Sequence, residues 1–198
     1  MKQRWMYGCG LLLVLALGAV SATAVASVVK ALSLEELTRK ADVIVVGVGA
    51  EAQSRRNDDG RLIVTDVSVD VQQVLKGGAK AGDDVIVTLL GGSVDGLGLR
   101  VPGEASIPLG KPALLFLYRS GKAGRDLRVV GMAQGVMAMQ GEPGTMTILP
   151  GGSGSELVER GSDGKLSPAP GALLRPEPAA NVLERVRKLV GANKPQSP

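Results

Sequence analysis

Three sets of residues in this chain could carry chemistry. The first is Gly47-Val48-Gly49-Ala50-Glu51-Ala52, a G-x-G-x-x-A turn directly behind the aliphatic run Val43-Ile44-Val45-Val46. In a dinucleotide-binding unit such glycines let the backbone approach a pyrophosphate, which rests on the amides opening a crossover helix. Only Ala50 to Arg56 is available for that helix before the turn Asn57-Asp58-Asp59-Gly60. A parallel crossover takes about a dozen residues or more. The expectation is therefore a strand that bends at Gly47 and Gly49, with no cofactor.

The second set is the carboxylates. Asp66 and Asp70 fall on one face of a strand, about 13 Å apart at strand rise. That is too far for a shared proton or a common cation, so both are expected as solvated strand-face acids. Asp58 and Asp59 could join Asp83 and Asp84 around calcium, but their spacing matches no loop motif and turn duty suits them better. The third set is the nucleophiles. The sequence has no histidine and a single cysteine, Cys9. A Ser–His or Cys–His pair is impossible, and zinc would have to rest on carboxylates alone. A Ser–Lys pair is open on letters but has no signature. We expect no catalytic, metal or cofactor-binding residue, and no enzyme.

The N-terminus sets the compartment. Lys2 and Arg4 precede the apolar run Gly10 to Val20, and Ala22-Thr23-Ala24 and Ala24-Val25-Ala26 both fit an A-x-A cleavage site. The expectation is a signal peptide over residues 1–26, cut at Ala26 or Ala24, and a secreted or periplasmic protein. The rival is an uncleaved anchor, because no charge lies between Arg4 and Lys30. Membrane contact is expected only in that case. Residues 1–26 carry two of the 23 Lys/Arg and none of the 19 Asp/Glu, so the remainder is nearly balanced. Trp5, Tyr7 and Cys9 lie in the same segment, so Phe116 and Tyr118 are the only aromatics after it. Nucleic-acid binding needs stacking platforms and a basic groove. Two adjacent aromatics and a balanced charge argue against it.

The elements that must position any site follow from local patterns. Ser33-Leu34-Glu35-Glu36 is a capping box ahead of a short helix over about Leu34–Lys40. An apolar strand over Val43–Val48 comes next, then a strand over Leu62–Leu75 with Val67, Val69 and Val71 on one face. The alternation slips at Gln72-Gln73, where a bulge is expected. Asp84–Leu90 is a third strand. Gly91–Pro108 reads as a long loop. Ala113–Tyr118 and Leu127–Gly131 are joined by the turn Ser120–Gly124, and Val136–Gln140 with Thr145–Leu149 forms a hairpin. Residues 151–178 are rich in Gly, Ser and Pro and read as a linker. A helix over about Ala179–Val190, capped by Gly191, precedes a disordered tail. Short strands with no long interval between them exclude a parallel α/β sheet. They predict a mainly β fold: a small antiparallel OB-like barrel over residues 27–150 with a short N-terminal helix and a C-terminal helix.

Ala41-Asp42-Val43-Ile44-Val45, then Val67 to Val71 running into Val74-Leu75-Lys76-Gly77, then Leu109-Gly110-Lys111-Pro112-Ala113-Leu114-Leu115-Phe116-Leu117, resembles the netrin-type module. That is the OB-like barrel of the tissue inhibitors of metalloproteinases and complement C-terminal domains. The chain is also similar to secreted bacterial proteins sharing the skeleton ADVIVVG…VLKG…LLFL…VVG…QG, some associated with matrixin-like proteases. The resemblance implies a barrel fold and a regulator or partner of a secreted metalloprotease. It does not carry over the inhibitors' zinc chelation, which uses an N-terminal cysteine that no residue near Ser27 replaces. The expected function is an exported, non-catalytic interaction module with a protein partner. The alternative is a structural envelope component held by its N-terminal segment. The expected contact surface is the Gly91–Pro108 loop, through Leu97, Leu99, Arg100, Val101 and Ile107, with the C-terminal helix as a second candidate.

Overall fold

The computed structural model describes residues 28–121, 126–151, 156–160, 162, 165–169 and 175–192. The apolar N-terminal segment, the Ala26 cleavage site, Lys122 to Gly124 of the expected turn and the tail after Ala192 lie outside these.

Strand β1 (Val28–Lys30) leads into helix α1 (Leu34–Lys40). The capping box forms as its letters require: the Glu36 amide donates to Ser33 Oγ at 3.1 Å and the Ser33 amide to Glu36 Oε2 at 3.0 Å. The serine amide, helped by Lys30, holds the Glu36 carboxyl below its usual range. At the other end Lys76 Nζ donates to the carbonyls of Thr38 (3.0 Å) and Ala41 (2.5 Å), which the last helical turn leaves unpaired.

Strands β2 (Val43–Arg56) and β3 (Ile63–Lys76) are each 14 residues long and form one antiparallel ribbon around the Asn57–Gly60 turn. The expected strand at Val43–Val48 thus runs straight through the glycines to Arg56. Its register slips between Ile44 and Val45, between Val46 and Gly47, where β3 skips Gln72, as the broken alternation implies, and between Gly49 and Glu51. The glycines are steric necessities. A Cβ on Gly47 would stand 2.6 Å from Val69 Cγ1 and 2.8 Å from the Asp70 carbonyl oxygen, and one on Gly49 would stand 2.9 Å from the Pro108 carbonyl oxygen.

Strand β4 (Asp84–Leu90) pairs with β3, and the chain continues through the short hairpin β5 (Gly92–Val94) and β6 (Leu97–Leu99). β7 (Pro112–Ser120) returns to pair with β2, and β8 (Asp126–Val129) pairs with β7. A 3-10 turn at Met132–Gly135 leads into β9 (Val136–Gln140), which adds to the far edge of β7, followed by β10 (Thr147–Leu149). β2, β3, β4, β8 and β7 make a five-strand ring that is not a closed barrel. β8 touches β4 through one parallel pair, Val87 with Leu127, so the arrangement is not wholly antiparallel as expected.

Two apolar cores flank β2 and β7. Inside the ring, Val45, Val67, Val69, Val87, Leu115 and Leu127 pack together. On the outer face Ile44, Val46, Leu114, Phe116 and Ile148 pack against Leu37 of α1 and against Val182 and Val186 of helix α2 (Ala179–Ala192). Burial on both faces explains why Val43–Val46 and Ala113–Leu117 are unbroken apolar runs rather than alternating ones. α2 therefore docks on the sheet and hides its valines, and Gly191 lies within it rather than capping it.

The stretch read as a linker contains strands. β11 (Glu156–Arg160) pairs with β1 and with β12 (Leu166–Pro168), and β13 (Glu177–Pro178) pairs with β10. Glycine- and proline-rich composition hid them because these strands are at most five residues long.

Candidate interaction surface

The β2–β3 ribbon reaches beyond the ring, and its outer half carries two features, one on each face. On the inner face Ser54 and Thr65 are cross-strand partners with hydroxyls 2.9 Å apart. The Thr65 hydroxyl donates to the Gly91 carbonyl at 2.7 Å, so the Ser54 hydroxyl is the donor to Thr65. The Ser93 amide reaches Ser54 Oγ at 3.4 Å. Gly92 sits between these hydroxyls with φ +128°, and a Cβ there would stand 2.3 Å from Ser54 Oγ. The β5–β6 hairpin is therefore clamped to the ribbon at its base.

Its tip is Asp95 (φ 52°) and Gly96 (φ 76°), two consecutive left-handed residues between the pair Val94 and Leu97. That is the two-residue turn whose twist suits a hairpin. The sequence Val94-Asp95-Gly96-Leu97 carried this signal, and reading Gly91–Pro108 as an irregular loop passed over it. Leu97 stands 57% exposed beside the turn. Leu99 and Val101 are half-buried and Arg100 is exposed. Ile107 is not part of this surface: it is 6% exposed and packs inside the ring with Ala105, because the segment crosses back to lay Leu109 beside Gly49. The expected contact set thus divides into the exposed Leu97 and Arg100, the half-buried Leu99 and Val101, and the core residue Ile107.

The ribbon's outer face bears a polar groove of about 550 Å³ that sequence reasoning missed. Arg55 Nε donates to Asp66 Oδ2 at 2.6 Å, and Thr88 Oγ1 donates to Asp66 Oδ1 at 2.7 Å. Asp58 lies 3.6 Å from the same guanidinium. The hydrogen bond to Asp66 raises the Arg55 pKa further above its ordinary value. Asp66 is consequently a paired acid held on strand β4's threonine, not the solvated one expected. Arg128 lines the groove from β8, with its Nε buried and without a hydrogen-bond partner among the described residues. Nearby Glu104, half-buried, has its pKa raised chiefly by burial, against the opposing amides of Ala105 and Leu90. No local pattern marks this groove, because Arg55, Asp66, Thr88 and Arg128 come from four strands.

Asp70 meets Asp84 directly across β3 and β4. Its hydrogen bond with Asp84, then burial and like-charge repulsion, raise its pKa. Asp58 and Asp59 sit at the opposite end of β3 from Asp83 and Asp84, so the four carboxylates do not converge. Among the described residues no group of three or more His, Cys, Asp or Glu is placed to hold a metal, and no helix is long and apolar enough to cross a membrane.

Searched against models of known protein families and against curated proteins, the chain matches none.

Proposed function

We propose that this chain is an exported, non-catalytic binding module that engages a protein partner through the β5–β6 hairpin. The observation that carries the reading is Leu97, a large apolar side chain held in solvent on a clamped two-residue hairpin. A rigid element loses little entropy when a partner covers it, and an exposed leucine gains from being covered. Arg100 adds a cation at the same edge, a residue type enriched at interface centres.

The scaffold we assign is OB-like. Taken in chain order, the ring strands β2, β3, β4, β7 and β8 are neighbours in the order 1-2-3-5-4, with the third and fifth parallel. That order supports the netrin-type resemblance and with it a secreted metalloprotease as the partner to test first. Regulation by zinc chelation is not included, since the residues after 26 contain no cysteine.

The test is a photo-crosslinking amino acid placed at Leu97 in the full chain, with the same probe at Ile86 as a control. Ile86 is similarly exposed, at 51%, but lies on β4 away from the hairpin. One discrete adduct from position 97 and none from 86 is expected. Equal labelling at both, or none at 97, would sink the hairpin as the contact. Substrate turnover by the purified protein would overturn the non-catalytic assignment, and an N-terminus at Met1 rather than Ser27 in the exported protein would favour the anchored envelope component.

A further inference from the structure

The β5–β6 hairpin meets the ribbon through β5, whose Ser93 amide reaches Ser54, and among the described residues β6 pairs with no strand but β5. β6 is therefore an open sheet edge, and the turn decides which backbone groups lie along it. A two-residue turn makes Val94 and Leu97 a hydrogen-bonded pair, and bonded and non-bonded pairs alternate along an antiparallel ladder. Gly92 with Leu99 is then the next bonded pair, and Ser93 with Gly98, between them, is not bonded. The Leu99 carbonyl fits that phase: it faces back across the hairpin, where a Cβ on Gly91 would stand 2.7 Å from its oxygen. The Gly98 amide and carbonyl consequently point away from β5. Gly98 is exposed, and the atoms nearest to a Cβ built there belong to Gly92 and Ser93 of β5, so nothing across the edge covers it.

Leu97-Gly98-Leu99 has none of the lysines, prolines or bulges that usually guard an edge. Only its three-residue length limits what can pair with it. The stretch also reads the same in both directions about Gly98, which makes the edge complementary to itself. Two copies placed antiparallel about Gly98 exchange its amide and carbonyl in both directions, and set Leu97 of each against Leu99 of the other on one face. The same register puts Arg100 opposite Gly96, one residue from Asp95. Both charged residues are exposed, and neither has an ion pair among the described residues.

We propose that a second copy of this chain takes the β6 edge, joining the two hairpins into a four-stranded antiparallel sheet about a twofold axis at Gly98. Leucine against leucine supplies the attraction, and Asp95 near Arg100 at each end fixes the register. The inference rests on the reading of the hairpin as a contact surface and names an occupant of its edge. Three paired residues a side fall short of the roughly 1,000 Å² at which stable interfaces begin, so the dimer is weak, half-formed at on the order of 0.1 mM chain.

Sedimentation velocity of the exported protein across about 10 µM to 1 mM spans that equilibrium. A reversible dimer is expected, weakened at least tenfold by Gly98→Pro. Proline removes the edge donor but leaves the β5 ladder whole, because the Gly98 amide bonds nothing in it, and edge strands tolerate proline. A cysteine variant reads the register. The only cysteine of the chain is Cys9, so after position 26 Gly98→Cys has a single thiol. In the dimer that thiol faces its own copy at a Cα separation of about 5.5 Å, within disulfide reach. Under mild oxidation this variant should link several times faster than Ile86→Cys, an exposed position on β4. Monomer at every concentration, a dimer that Gly98→Pro leaves unweakened, or equal linking of the two cysteine variants would overturn the proposal. A monomeric protein that still gives an adduct with another protein from position 97 refutes self-pairing alone, and one that gives no adduct refutes the contact surface with it.

Discussion

Substituting Gly47 with alanine separates the two meanings of the G-x-G-x-x-A stretch. The added methyl would meet Val69 Cγ1 at 2.6 Å and the Asp70 carbonyl oxygen at 2.8 Å. The valine can turn, but the carbonyl belongs to the β3 backbone and is held by the ladder, so the strands must part. Overpacking of this kind costs about 1–3 kcal/mol. Alanine recovers about 0.4–1 kcal/mol by restricting the unfolded chain, leaving a net loss of about 0–2.6 kcal/mol. For a domain of this size that lowers Tm by up to roughly 10 °C. Thermal unfolding followed by circular dichroism reads this directly. Gly78→Ala is the matched control, because nothing lies within 4 Å of its methyl position and its backbone is unstrained; its Tm should rise by roughly 1–4 °C. A Gly47→Ala protein with the same Tm as Gly78→Ala would show that β2 and β3 do not approach as described. If that variant instead lost affinity for a dinucleotide at constant Tm, the phosphate-binding reading would return.

Gln134 is buried and its amide serves the N-terminal segment much as a neighbouring strand would: the Leu32 amide donates to Oε1 at 2.9 Å and Nε2 donates to the Lys30 carbonyl at 3.0 Å. Gln134→Ala leaves both backbone groups short of a partner and should destabilise by about 1–3 kcal/mol, with hydrogen exchange at the Leu32 amide accelerating at least as much as global unfolding does. The Asp70–Asp84 pair gives a pH signature. Because the Asp70 pKa is raised in the folded state, the folded chain binds that proton more readily than the unfolded one, so the pair's destabilising effect is full above the folded pKa and fades as pH falls through it. Asp84→Asn should bring the Asp70 midpoint down in a carboxyl-carbon NMR titration and flatten the acid-side rise in stability; an unmoved midpoint would disprove the coupling.

Several elements were legible because their causes are local. The α1 capping box needs only Ser33 and Glu36 three residues apart, and the slip at Gln72 shows as a broken alternation. The absence of room for a crossover helix after Gly49 was enough to turn the glycine motif from a cradle into a bend. The β5–β6 turn was equally local, in Asp95-Gly96, and was overlooked because glycine and proline dominate its surroundings. β11 was hidden because it is short and finds its partner in β1, more than a hundred residues away in the chain, and β12 because it is three residues long and pairs with β11.

What the sequence determined by itself is the alphabet of possible chemistry and the run of short strands. Without histidine, and without cysteine beyond residue 26, whole classes of catalysis fall away whatever the fold. Tertiary structure alone decided which side chains meet. Ile107 and Leu97 look alike as letters, yet one fills the ring and the other stands in water, because the chain crosses back between them. Asp66 became a paired acid only when β2 and β4 flanked β3. Such juxtapositions depend on long-range register, which is fixed by how two cores are covered at once, and no window of neighbouring residues contains that information.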